Sequence, residues 1–193
     1  ANVKFQLKDY EGALADYNKA IEHQPSFVQA YFARAAIKSV LGNIKDEILD
    51  YSKCIELRPD YTQAWFLRAQ ARSRLGFDSL ALKDYSQAIH LDSNNAQFYN
   101  YRGLVRAKLK DFQSGIHDFS KAIQLNPNYA DAYNNRGSIE DELNDGSAAF
   151  QDYTKAIELQ PDYFQYYRDA KSRIKSQNYL LALEDYNKAI EIE

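Results

Sequence analysis

A 34-residue period runs through the chain and limits what it can become. Pro25, Pro59, Pro127 and Pro161 stand 34, 68 and 34 residues apart, and the slot between the middle two holds Ser93. Laid out at that period, the residues fall into columns. One aromatic column reads Tyr31, Trp65, Tyr99 and Tyr133, and four residues on a small-residue column reads Ala35, Ala69, Gly103 and Gly137. An isoleucine column runs through Ile21, Ile55, Ile89, Ile123 and Ile157, each preceded by Ala20, Cys54, Ala88, Ala122 or Ala156. Three residues earlier stand Tyr17, Tyr51, Tyr85, Phe119 and Tyr153. A unit this short cannot bury an apolar face alone, so neighbours must stack into a quasi-one-dimensional array.

Each unit reads as two helices. The stretch from Thr62 carries apolar and small residues at helical spacing and stops at Gly76, a residue that accepts a left-handed helix end. The next stretch aligns Leu80, Ala81, Tyr85, Ala88 and Ile89 on one stripe. The Pro or Ser after it closes the unit, because a residue before Pro is pushed out of the helical region. Composition agrees: seven Gly and four Pro in 193 residues are too few for a turn-rich β protein or a disordered chain.

Chemistry is excluded as firmly as fold is indicated. Cys54 is the lone cysteine, so there is no internal disulfide or cysteine zinc cluster, and its small-residue column predicts a buried, inert thiol. His23, His90 and His117 lie in different columns and do not converge on a metal. No Gly-rich phosphate loop, nucleophile elbow or acid pair stands out, so no catalysis, cofactor or metal is expected. A net charge of −3 gives no bulk attraction for nucleic acid, and the basic run Arg106, Lys108, Lys110 has no interleaved aromatics. No apolar run approaches the ~20 residues of a membrane span, so a soluble chain is expected, with the cytoplasm slightly favoured.

The W/Y, A/G, G, A, Y, A and P pattern at this period resembles the tetratricopeptide repeat. The resemblance implies an all-α, right-handed superhelical solenoid of antiparallel helix pairs. In that register residues 1–27 form a partial repeat, 28–61, 62–95, 96–129 and 130–163 four complete ones, and 164–193 a last, irregular repeat. There Tyr186, Ala189 and Ile190 fall one residue early. Neither end carries a polar capping helix and the chain contains no Met, which suggests a segment of a longer array whose uncapped ends could stack on one another.

Two columns depart from the family pattern. Repeat position seven, usually apolar, is Arg34, Arg68, Arg102 and Arg136; position twenty-three is Asp16, Asp50, Asp84, Asp118, Asp152 and, shifted, Asp185. Opposite charges on the two helices of each unit predict a repeated ion pair that sets register more than stability.

In the family, first-helix positions two, five, six, nine, twelve and thirteen face a concave groove that holds peptides. The implied groove residues here are Phe32, Ala33, Phe66, Leu67, Gln70, Asn100, Tyr101, Asn134, Asn135, Tyr167 and Arg168. Phe32, Phe66 and Leu67 make the first half greasy, which favours burial of a partner's side chains or helix. Asn100, Asn134 and Asn135 offer amides to an extended backbone. The chaperone-tail clamp is absent, because Asn100, Leu104 and Phe164 occupy slots that need Lys, Asn and Lys. So is the asparagine ladder, since position six reads Ala33, Leu67, Tyr101, Asn135, Arg168. The expected function is a non-catalytic scaffold gripping a protein or peptide. The rival is the recognition arm of a larger enzyme.

Overall fold

The computed structural model describes residues 1–161. Ten helices make up these residues, and no strand occurs among them: α1 (Asn2–Gln6), α2 (Tyr10–His23), α3 (Val28–Val40), α4 (Ile44–Leu57), α5 (Thr62–Arg74), α6 (Asp78–Leu91), α7 (Ala96–Lys108), α8 (Phe112–Leu125), α9 (Ala130–Glu142) and α10 (Gly146–Leu159). From α3 onward, helices of 13 and 14 residues alternate, as a helix-pair repeat requires. The fold is an all-α solenoid of repeats. None of these helices is long and apolar enough to cross a membrane.

The helix breaks are built from local chemistry. Gln24, Arg58, Asn126 and Gln160 precede the four prolines and all sit at φ between −137° and −144°. Asp92, before Ser93, adopts the same conformation at φ −142° without a proline behind it. Inter-helix turns place Gly42 and Gly76 at φ +74° and +77°, the left-handed region. Lys8, Lys110 and Asn144 occupy the equivalent turns at φ +60° to +62° despite their side chains.

The chain divides into two compact units, one spanning Ala1–Leu109 and the other starting at Lys110. In the first, successive helices from α1 to α7 pack pairwise; in the second, α9 packs against both α8 and α10. The small-residue columns sit at the helix crossings: Ala35, Ala69, Ala88 and Ala122 are fully buried. At Gly137 the approach is close, since a Cβ would lie 3.2 Å from Ala149 O, Asp152 Cβ and Tyr153 Cδ1. Cys54 is buried and free; its thiol donates to Val28 O at 3.5 Å, and burial pushes its pKa up to about 12.

The Arg and Asp columns do pair. The Arg34 guanidinium grips Asp50 with Nε and Nη2 at 2.9 and 2.6 Å, Arg68 grips Asp84 at 2.8 and 2.8 Å, and Arg136 grips Asp152 at 2.6 and 2.8 Å. The remaining nitrogen, Nη1, turns to the preceding repeat, where Arg34 meets Asn18, Arg68 meets Ser52 and Arg136 meets Ser120 at 2.7–3.0 Å. Arg102 Nη1 likewise reaches Ser86 at 3.1 Å. Each arginine also lies over the aromatic ring one helical turn before it: Tyr31, Trp65, Tyr99 or Tyr133, at 4.8–5.8 Å. One side chain therefore stitches its own two helices together and ties them to the previous pair.

Candidate functional site

Inside the first unit the helices enclose an open cavity of about 480 Å³. Its first-helix walls are Ser39 of α3, Leu67, Gln70, Ser73 and Arg74 of α5, and Tyr101, Leu104, Val105 and Lys108 of α7. Glu47 and Tyr51 of α4 and Tyr85 of α6 complete the lining. Burial raises the Tyr51 and Tyr85 phenols well above their ordinary pKa, so both stay neutral hydrogen-bonding groups.

Two of the position-six residues line the cavity, and none of the described position-five residues does. Leu67 and Tyr101 reach the cavity, and Gln70 at position nine joins them. Phe66, expected beside them, is instead a core residue, 3% exposed. Its ring centroid lies 4.9 Å from Phe98, 5.3 Å from Tyr101 and 5.8 Å from Tyr85. Phe32, in the same column, is half-buried, stacked on Tyr61 at 4.9 Å and edge-on to Tyr51 at 5.5 Å. Asn100 is likewise buried and does not present its amide to a ligand. The physical reason is the 100° turn between successive helical residues, which aims position five into the helix packing and away from the opening.

Ala33 is half-buried and lies off the cavity lining. Asn134 and Asn135 are half-buried on α9 of the second unit. Tyr167 and Arg168 lie outside the described residues. Lys108 pairs with Asp78 at 2.9 Å within the first unit, and Lys110 takes Glu142 at 3.0 Å within the second.

Glu47 is the residue that pattern reading overlooked. Its column otherwise reads Ala13, Ala81, Gly115 and Ala149, every one of them buried. A carboxylate in that slot is itself buried, and Arg74 Nη2 of the next repeat closes on it while also meeting Ser39 Oγ at 3.3 Å. Burial pushes the Glu47 carboxyl up, and the charge and hydrogen bonds of Arg74 and Ser39 pull it part-way back. One charged residue among four small ones was a readable signal.

Tetratricopeptide repeat models match residues 28–61, 96–129 and 130–163, and a further TPR repeat model matches 1–39. The chain belongs to the tetratricopeptide repeat family. Solved structures of the family share its architecture. MamA from Desulfovibrio magneticus RS-1, from residue 41 to its end, superimposes with a TM-score of 0.78 at 19% identity, covering 83% of this chain and 90% of that one. A tetratricopeptide repeat protein from Parabacteroides merdae reaches 0.80 at 16% identity over 99% and 75% of the two chains. YrrB, described as a TPR protein with an unusual peptide-binding site, gives 0.66 at 22% identity over 92% of each. At such identities the likeness is one of fold. No curated protein matches the chain in sequence. As a tetratricopeptide repeat array, the chain is a protein-interaction scaffold.

Proposed function

We propose that the chain holds a peptide or helix of a partner protein in the first unit's cavity, with Leu67, Tyr101 and Leu104 as the apolar contacts. The observation that carries this reading is the combination of an open volume of about 480 Å³ with partly exposed apolar side chains on consecutive first helices. Leu104 keeps 39% of its surface exposed, an apolar contact left for a partner to cover. Gln70, Ser39 and Ser73 supply neutral hydrogen-bonding groups between the apolar ones, the mixture that fixes a bound segment's orientation. In this reading the chain contributes recognition and no bond-making chemistry.

The test uses displayed peptides selected for binding to the chain. Truncation of Leu67 and Leu104 to Ala should weaken them about tenfold or more, since a buried leucine is worth roughly 1.5–3 kcal/mol. Unchanged affinity with an unchanged melting curve would rule out this cavity as the binding site. Phe32 and Phe66 are unsuitable probes, because both pack into aromatic clusters and their loss would destabilise what is being measured.

A further inference from the structure

The cavity's charged groups are layered, and the layering points to the partner's chemistry. Arg74 and Lys108 stand at the same repeat position on α5 and α7, with side chains 43% and 53% exposed. Behind each is a carboxylate with far less access to solvent: Glu47 at 3% behind Arg74, and Asp78 at 12% behind Lys108. A ligand entering the cavity thus meets cations first, while the matching anions lie beneath them. Leu67, Gln70, Tyr101 and Leu104 complete the surface these cations flank.

The anions fix the cations without exhausting them. Arg74 uses Nη2 for both Glu47 and Ser39, which leaves Nε and Nη1 without a hydrogen-bond partner among the described residues. A guanidinium held from behind has little rotamer entropy left to lose and can offer its free edge to a carboxylate. A cationic ligand would face the opposite situation. To reach Glu47 it would have to evict Arg74 and bury its own charge in the process.

We infer that the partner segment is acidic and apolar: an extended stretch with a Leu- or Phe-like anchor flanked by Asp or Glu. This rests on the cavity being the binding site, as proposed above. The anchor fills the space beside Leu67, Tyr101 and Leu104, and the flanking carboxylates take the outer edges of Arg74 and Lys108. Glu47 acts as a positioning residue for Arg74. The required ligand feature is internal side-chain charge and not a chain-terminal carboxylate, so capped peptides suffice.

Three fluorescein-labelled peptides, acetylated and amidated, share a Leu-Phe-Leu centre and differ in flanks of Asp, Asn or Lys. Anisotropy titrations with the full 193-residue chain should rank them Asp above Asn above Lys, with about tenfold between the first two, and high salt should compress the gap. Lys108→Gln should lower the Asp-flanked affinity several-fold and leave the Asn-flanked one unchanged. The paired change Glu47→Gln/Arg74→Gln, which strands no buried charge, should do the same, with circular dichroism melts as the folding check. Equal binding by the Asn- or Lys-flanked peptide overturns the charge assignment while leaving the groove reading intact. Failure of all three to bind overturns both.

Discussion

Repeat 62–95 in the first unit and repeat 130–163 in the second use the same stitch, yet its third member is opposite in charge. Asp84 is held by Arg68 and again by Arg72, whose Nη1 lies 2.6 Å from the same carboxylate. Asp50 has the equivalent second cation in Lys38 at 2.8 Å. In 130–163 that position is Glu140. Its Oε1 stands 3.9 Å from Arg136 Nε, and its buried Oε2 has no hydrogen-bond partner in the described structure. Two carboxylates share one guanidinium where elsewhere two cations share one carboxylate. The motif's geometry therefore survives reversal of its electrostatics, because the bidentate Arg–Asp fork supplies the register and the third residue only adjusts its strength.

The sharpest way to break this comparison is to remove the aspartates. Asp84→Ala strands two largely buried guanidinium groups and should cost about 3–5 kcal/mol in urea denaturation. Asp152→Ala leaves Glu140 free to take over Arg136 and should cost about 1–2 kcal/mol. Equal losses would show that the third residue is energetically irrelevant.

The inter-helix turns give the next effect. Gly76→Ala meets no atom within 4 Å, so its whole cost is the left-handed backbone, about 1–2 kcal/mol. Lys110 already carries that penalty at φ +62°, and Lys110→Gly should recover about 0.5–1 kcal/mol. Its ion pair with Glu142 joins two exposed side chains and contributes little against that gain. Loss of stability in Lys110→Gly would show that the turn is not strained.

Glu140 supplies an effect of similar size and a pH signature. Burial first, and the neighbouring Asp152 second, raise its carboxyl above the ordinary 4.5, with Arg136 opposing. A raised native pKa adds stability that is complete below about pH 4.5 and is lost as pH climbs through the raised value. Glu140→Gln should remove that part of the pH dependence. Glu140→Arg, which restores the cation of the other repeats, should stabilise the neutral-pH protein by about 1 kcal/mol. A stability profile that is identical for wild type and Glu140→Gln between pH 4 and 7 would refute the carboxylate pairing.

Much of the molecule was legible in the residues. Helix breaks before Pro25, Pro59, Pro127 and Pro161, the left-handed turn at Gly76, and the Arg34–Asp50, Arg68–Asp84 and Arg136–Asp152 pairs all followed from periodicity and side-chain chemistry. Glu47 was equally legible in principle, as the one acid in a small-residue column. The acceptor for each arginine's third nitrogen was not anticipated, although Asn18, Ser52, Ser86 and Ser120 form a column of their own. A hydroxyl on a helix surface has many uses, and only the distance to Nη1 selects this one.

The unanticipated half of the cavity has a common cause. Tyr51 and Tyr85 belong to the aromatic core column of the second helices, and their columns alone did not indicate that they also line the cavity. Phe66 and Leu67 are adjacent, both apolar, and equally good groove candidates on a helical wheel. Their fates part because Phe66 meets Phe98 across the repeat boundary while Leu67 faces the opening. Periodicity and local backbone preference are properties of the chain itself, and they set the repeat, its helices and its charge columns. The angle at which one helix pair lies on the next arises only when packing is complete, and that angle decides which residues are core and which remain for a partner.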